Sequence, residues 1–376
     1  MQYIYFDNNS TTPLHAKALE AMMPYFAEKY GNAASATHRF GWQAAAAVDI
    51  AKSQVAEILG VEPAEITFTS GATESINMAL RGLFESYKRK GNHIIVCKTE
   101  HKAVLDTCAF LQTCGASISY IDVHRDGIID LAQLESELSD HTIMVVVMLA
   151  NNETGVIQPI KEIAAITHQH NAVFFCDATQ VVGKINIDVE DEHIDLMCMS
   201  AHKFYGPKGI GALYVRRKNP RVTLFPQIDG GGHERGLRSG TLNVTGIVGL
   251  GKACEIAKEE MWLDATRISQ LRTQLEQSLC DFQDVYINGS TKDRLFNTTN
   301  ICFRGKRSES IINKIPKIAV AIGSACTSAV AAPSHVLKAL GLTDEESYAS
   351  IRFSLGKYTT NEEMVACLEA FESLLK

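Results

Sequence analysis

Of the ten cysteines in the 376 residues, no two form a CxxC pair and none keeps a metal-ligand spacing with its neighbours. That excludes a zinc ribbon and gives no ground for a disulfide framework; scattered thiols suit a reduced, cytoplasmic interior. Long apolar runs are also missing. The longest, such as 143–150, reach about eight residues, where a bilayer span needs about 20, so no membrane association is expected. Residues 1–9 lack a basic region followed by an apolar stretch, so no secretory signal is expected. There is no basic surplus either: the formal net charge is −7, which argues against tight direct binding of nucleic acid. The basic runs Lys88-Arg89-Lys90 and Arg216-Arg217-Lys218 are expected to be solvated ends of elements. Internal repeats and low-complexity tracts are absent.

What remains is a mixture with 46% hydrophobic and 21% charged residues, long enough for one large and one smaller domain. Apolar runs at 66–69, 93–97, 117–121, 143–149, 173–176, 196–199 and 212–215 are candidate strands. Amphipathic stretches at 43–59, 73–88 and 161–170 lie between several of them. Strand and helix in turn predict an α/β fold, a mostly parallel sheet covered by helices on both faces. The strand runs are nearly continuous in hydrophobicity, as burial on both faces requires. A long helix is expected over 245–280, interrupted near Trp262-Leu263-Asp264. The last hundred residues read as an α+β unit, with strands near 300–303 and 350–354 and a closing helix over 360–375.

Polar clusters follow the candidate strands repeatedly: Thr69-Ser70-Gly71-Ala72-Thr73-Glu74, Glu100-His101, Asn151-Asn152-Glu153, Asp177-Ala178-Thr179-Gln180 and Ser200-Ala201-His202-Lys203. In open α/β sheets ligands bind outside the carboxyl ends of the strands, so five such clusters point to one site. Gly71-Ala72-Thr73 suits phosphate at a helix N-terminus, although a plain N-cap explains it as well. A buried strand-end aspartate, Asp177, could pair with a pyridinium nitrogen. A partly buried lysine, Lys203, could form a Schiff base; alone it reads more readily as a loop cation, which leaves Asp177 and Ser200-x-His202 unexplained. Two further clusters stand apart. Arg235-Gly236-Leu237-Arg238-Ser239-Gly240-Thr241 suits phosphate or a mobile basic loop. Gly323-Ser324-Ala325-Cys326-Thr327-Ser328-Ala329 surrounds one cysteine with small residues, which favours exposure and mobility. Cys97, Cys176 and Cys198 lie in apolar runs and are expected to be inert.

The chain resembles the NifS/IscS-type cysteine desulfurases, a branch of the fold-type I enzymes of pyridoxal phosphate (PLP), essentially end to end. The resemblance is carried by Tyr5-Phe6-Asp7-Asn8-Asn9-Ser10-Thr11-Thr12-Pro13, Gly31-Asn32, His38-Arg39-Phe40-Gly41 and the segment 68–75. It continues through Glu100-His101, 150–155, 177–180, 200–203, 238–241, 323–328 and 351–356. It implies a large PLP-binding domain over 15–258 and a small one from 1–14 and 259–376, which carries the catalytic loop at about 322–333. PLP is implied to be held covalently by Lys203, which also moves the substrate Cα proton. Asp177 is implied to meet the pyridine nitrogen, Gln180 and Asn152 the ring hydroxyl and substrate, and His101 the ring face as acid or base. Ala72, Thr73, Ser200 and His202 are implied to bind phosphate, with Thr241 reaching from the second subunit of a homodimer. Arg352, helped by Asn152, is implied to hold the carboxylate of L-cysteine in a planar fork. Cys326 is implied to be the nucleophile that takes the sulfur as a persulfide, its thiolate being the competent form, for a sulfur-acceptor or iron–sulfur scaffold protein. In some relatives this cysteine also helps hold a nascent iron–sulfur cluster, which makes Cys326 the one metal-ligand candidate.

Three positions depart from the family pattern. Asp229-Gly230-Gly231-Gly232-His233-Glu234 stands for His-Gly-Gly-Gly-Gln-Glu, Val330-Ala331-Ala332 replaces a stretch with leucine and glutamate, and Pro316 interrupts 311–321. A chain closing near Lys376 is also expected to lack the tail with which housekeeping members grip a scaffold. Another PLP enzyme, such as an aminotransferase or a selenocysteine lyase, would need Lys203 and Asp177 but not Cys326. An idle scaffold would need none of Lys203, His101 and Arg352.

Overall fold

Seven runs rich in β-branched, aromatic and sulfur-bearing residues pair into one sheet; six are buried along their whole length, and the edge run 117–121 is half-buried. The computed structural model describes residues 3–322 and 332–375. The sheet is built from β2 (Ile66–Thr69), β3 (His93–Cys97), β4 (Ser117–Ile121), β5 (Thr142–Met148), β6 (Val173–Asp177), β7 (Leu196–Ser200) and β8 (Gly211–Val215). Their spatial order is β2-β8-β7-β6-β5-β3-β4. The expected strands are therefore present, with ends shifted by at most about one residue. The sheet is mostly parallel, as expected, with one exception: β8 runs antiparallel to both of its neighbours, β2 and β7. The link from Ser200 to Gly211 is too short for a helical crossover, and a short return forces antiparallel pairing. The other six strands point the same way, so their carboxyl ends share one rim.

Helices cover both faces of this sheet. Those flanking the site are α3 (Arg39–Leu59), α4 (Ala72–Tyr87), α5 (Lys102–Thr113) and α7 (Ile160–Gln169), with the shorter α1 (Ala16–Met22), α2 (Pro24–Ala27) and α6 (Leu131–Glu137) around them. One core joins Val55, Leu59 and Leu250 to Val145 and Phe174, and the other joins Ile76, Leu80 and Leu111 to Ile94 and Phe175. A third core lies around a second sheet of β9 (Val285–Ile287), β10 (Thr298–Phe303) and β12 (Ser350–Ser354), ordered β12-β10-β9. Here β1 (Ile4–Tyr5) pairs with β11 (Ile318–Ala319). The helices α9 (Ser308–Lys314), α10 (His335–Ala339), α11 (Asp344–Tyr348) and α12 (Asn361–Leu375) complete this part. α9 stops two residues before Pro316, as a residue preceding proline disfavours helix.

The long helix, α8, runs unbroken from Val244 to Cys280, so the expected interruption at 262–264 is absent. No proline or glycine stands there; the apolar period fails only because Trp262 and Leu263 face outward, 67% and 76% exposed. The first half of α8 buries Ile247, Leu250 and Cys254 in the sheet's core, and its second half buries Ile268, Leu271 and Leu275 in the third. Arg216 corrects another expectation. It is buried, 5% exposed, and pairs with Asp195 and Glu190, both at 3.2 Å, whereas Lys88-Arg89-Lys90 is solvated. No helix among the described residues is long and apolar enough to cross a membrane.

Close approach of α3 and α8 depends on Gly251, where an added Cβ would lie 2.7 Å from Ala51 Cα and 2.8 Å from Ala51 Cβ. Gly251→Val is expected to lower stability by about 1–3 kcal/mol through overpacking; chemical denaturation midpoints of the two proteins check this.

Candidate functional site

The site forms where the shared rim meets the N-terminal segment. After β1, residues 7–12 run from the second sheet to the turn following β7. Asp7 bridges Ser354 of β12, and the N–H and hydroxyl of Thr12 both donate to the His202 carbonyl, at 2.9 and 3.0 Å. Asn9 is the junction. Its side-chain amide donates to the Asn152 carbonyl at 3.1 Å and to Thr298 Oγ1 at 2.9 Å, and its N–H donates to Ser354 Oγ. Its carbonyl accepts from Lys203 Nζ at 2.6 Å and from Gln180 Nε2 at 3.0 Å. Lys203 also donates to the Ser10 carbonyl at 2.9 Å.

Around this junction stand the residues expected from the strand ends. Asp177 closes β6, buried, its Oδ1 accepting from Thr179 N–H at 2.9 Å and Cys198 Sγ at 3.3 Å. Next to it, Glu100 is fully buried; burial, then the charge of Asp177, raises its carboxyl well above the usual range. His101 caps α5, its Nδ1 accepting from Ala103 N–H at 3.1 Å. Burial foremost lowers its basicity, so the ring is neutral near pH 7 with its proton on Nε2. His202 is likewise neutral, lowered to about 4 by burial, then by Lys203 and Lys208.

Beyond β2, Gly71 caps α4 at φ +149° with no side-chain cap, and a Cβ there would stand 3.4 Å from Ser200 Oγ. Among the described residues, the N–H groups of Ala72 and Thr73 donate to no protein group. Arg352, on β12, is held through Nη1 by the Asn152 carbonyl at 2.9 Å and through Nη2 by Asp7 at 2.6 Å and Ser10 Oγ at 2.8 Å. Asn152 thus meets Arg352 by its backbone, not its side chain. No hydrogen bond among the described residues links Thr241 to these groups. It is exposed, on a loop tied to α4 by Arg238 donating to Glu74 at 2.7 Å and closed on itself by Gly240 N–H donating to His233 Nδ1 at 3.3 Å.

Cys326 and the rest of 323–331 lie outside the described residues, but the flanks do not. Upstream, Ala321 and Arg352 exchange both backbone hydrogen bonds, at 3.1 and 2.8 Å. Downstream, Ser334 Oγ donates to Glu153 Oε2 at 2.6 Å. The other cysteines near the rim are poor nucleophiles. Burial pushes Cys97 up to about 12 and, with the charge of Asp177, raises Cys176 and Cys198 well above the thiol range. Among the described residues no three of His, Cys, Asp and Glu gather as a metal site.

A model of the class-V aminotransferases matches residues 4–366. The chain belongs to that family. It is 51% identical over 362 residues to a cysteine desulfurase IscS of Anaeromyxobacter sp. strain Fw109-5, across 96% of this chain and 89% of the relative. It is 50% identical over 374 residues to the cysteine desulfurase IscS of Colwellia psychrerythraea, across 99% and 92%. The solved structure of a NifS-like protein superposes with a TM-score of 0.93 at 39% identity, covering 99% of both chains. Within the family, then, the chain stands among the cysteine desulfurases, and it is a PLP-dependent enzyme. The rim fits that cofactor: the uncapped start of α4 offers free N–H donors for a phosphate, and a buried aspartate and a lysine amine stand beside it.

Sequence reasoning missed Asp7, Asn9, Glu153 and Lys184 as site residues. Asp7 and Asn9 were visible as part of a motif, but their contacts use partners far along the chain. Glu153 is fully buried, and burial holds its carboxyl up to about 7 against the hydrogen bond from Ser334 and the charge of Arg352. In the unfolded chain it would titrate near the ordinary glutamate value of about 4.3. Between those values the folded state binds the extra proton, so the contribution of Glu153 is most favourable at low pH and declines as pH rises. Glu153→Gln is therefore expected to gain roughly 2–3 kcal/mol on the wild type between pH 4 and pH 8, measured by urea denaturation at both pH values.

Proposed function

We propose that the enzyme converts L-cysteine to L-alanine and passes the sulfur to Cys326 as a persulfide. The observation that carries this reading is the pair of flanks: both ends of the Cys326 segment are fastened beside the cofactor rim, one to Arg352 and one to Glu153. Flanks anchored there give the cysteine between them a reason to act on the substrate, and the described thiols at the rim are held protonated by burial.

In this reading Lys203 holds the cofactor covalently, and Ala72, Thr73, Ser200 and His202 hold its phosphate. Asp177 keeps the ring nitrogen protonated, with Gln180 at the ring hydroxyl and neutral His101 over the ring. Bound there, PLP is an electron sink that makes the Cα proton of an amino acid removable and the bond from Cβ to sulfur breakable. Lys203 Nζ takes the Cα proton. Arg352 holds the substrate carboxylate, competing with its own contact to Asp7, and Asn152 supports it. The Cys326 thiolate attacks the substrate sulfur. The new bond joins Cys326 Sγ to that sulfur, the Cβ–S bond breaks, and its electron pair stays with carbon, which is protonated to give alanine.

The persulfide then serves a sulfur-acceptor or iron–sulfur scaffold protein, with Cys326 also as a transient cluster ligand, in the cytoplasm. The large domain is proposed to span 15–258 and the small one 1–14 with 259–376. The enzyme is proposed to be a homodimer in which Thr241 completes the partner's phosphate site; an active, PLP-loaded monomer in sedimentation would refute this.

With L-cysteine and no added reductant, the expected products are alanine and a persulfide mass on the Cys326 peptide. Cys326→Ala should keep the visible PLP spectrum and lose sulfur release at least about 100-fold, the scale of losing a nucleophile. Normal turnover by that variant would remove Cys326 from the mechanism. Borohydride reduction should fix the cofactor on Lys203, and Lys203→Ala should abolish the adduct.

A further inference from the structure

Lys184 is a buried amine that the mechanism above does not use. It follows the turn after β6, where Gly183 sits at φ +77° and has no room for a side chain: a Cβ would meet Phe204 Cβ at 2.8 Å. A lysine that served packing alone would carry its ammonium to water along an aliphatic stem. Lys184 does not; the residue is 8% exposed. A buried ammonium ordinarily meets a carboxylate. Lys184 instead donates to a neutral amide, Gln180 Oε1, at 3.0 Å. The charged groups acting on it are both cations, Lys203 from the turn after β7 and Arg352 from β12, and together with burial, the larger effect, they bring the amine down to about 7.

The contact has a geometric consequence. With Oε1 taken by Lys184, the amide of Gln180 must turn Nε2 the other way, and Nε2 donates to the Asn9 carbonyl at 3.0 Å. That carbonyl also receives Lys203 Nζ at 2.6 Å. A carbonyl has two lone pairs, and here one is occupied by Gln180. We propose that Lys184 is a positioning residue for Lys203: it fixes which end of the Gln180 amide meets the Asn9 carbonyl, and so limits how strongly that carbonyl holds the Lys203 ammonium. An unprotonated or a protonated Lys184 serves equally, since both carry N–H donors. The gain is an amine at Lys203 that releases its proton more readily, as bond formation to a carbonyl carbon requires.

The test is the pH profile of cofactor reloading. Full-length enzyme stripped of PLP is mixed with PLP between about pH 6 and pH 10, and the rise in visible absorbance is timed; the midpoint reports the free amine of Lys203. His101, His202 and Arg352 remain unchanged throughout. Lys184→Met, which keeps the aliphatic volume, is expected to raise the midpoint by about one unit. Gln180→Leu is expected to raise it equally, and the double variant no further. An unmoved midpoint in Lys184→Met, or shifts that add in the double variant, overturns the proposal. If Lys184→Met does not fold, Lys184→Leu is read in its place, and a wild-type midpoint there overturns the proposal. The inference rests on Lys203 being the cofactor lysine, which borohydride trapping tests separately. An unmoved midpoint in a chain that traps at Lys203 counts against Lys184 alone.

Discussion

The hydrogen bonds around Asn9 hold the two halves of the site in one geometry. Lys203 and Gln180 belong to the large sheet's rim, while Arg352 and Thr298 belong to the second sheet. Asn9 reaches the first pair with its carbonyl and the second sheet with its side chain and N–H. Backbone groups suit this role, since a carbonyl cannot change protonation and a segment pinned at Asp7 and Thr12 loses little further entropy in making each contact. Lys203 and Arg352, to which the proposed reaction assigns the Cα proton and the carboxylate of an amino acid, are thus located by one short strand-like segment.

That segment works only because the sheet presents its strand ends in common. Six strands run the same way, so polar residues that follow each of them meet at one rim, and the helices on both faces keep water from the strands behind it. The result is a set of titratable groups placed in low-polarity surroundings. Burial neutralises His101 and His202, raises Glu100 and Glu153, and suppresses the nearby thiols. Perturbation on this scale clusters at functional sites. Here it leaves a site whose charges are few and specific.

The strands were legible because burial on both faces leaves a continuous apolar run, and the polar clusters after them were legible because they break that run. The parts that were not legible lack such a contrast. β9 is three half-buried residues, and β1 and β11 are two each, too short to show a period. The direction of β8 follows from the length of a loop, not from its residues. At 262–264 an outward Trp-Leu pair imitates a helix end, and Arg216 imitates a surface cation until Asp195, 21 positions earlier, is brought against it. In the site itself, Asp177 and Lys203 are suggested by residue type at strand ends, and Arg352 by the family resemblance alone. Asn9, though part of a recognisable motif, and Lys184 make their contacts through a backbone carbonyl and a neutral amide, groups every chain has in abundance, and only the fold shows those contacts.

For the proposed nucleophile, too, the anchors of its segment matter more than its neighbours in sequence. Small residues around a cysteine permit access without directing it. Direction comes from the anchors, and these are tied to the chemistry: Ala321 shares backbone hydrogen bonds with Arg352, and Ser334 hydrogen-bonds the carboxyl of Glu153, one residue from Asn152. Arg352 is therefore connected to the entry of the Cys326 segment by its backbone and to Asn152 by its side chain. A carboxylate that engages this arginine acts on a residue already shared by the N-terminal segment and the cysteine segment. In the proposed reaction, holding the substrate at Arg352 and anchoring the flanks of the Cys326 segment are then two uses of one hydrogen-bonded frame, which short contacts make possible without any long-range signal.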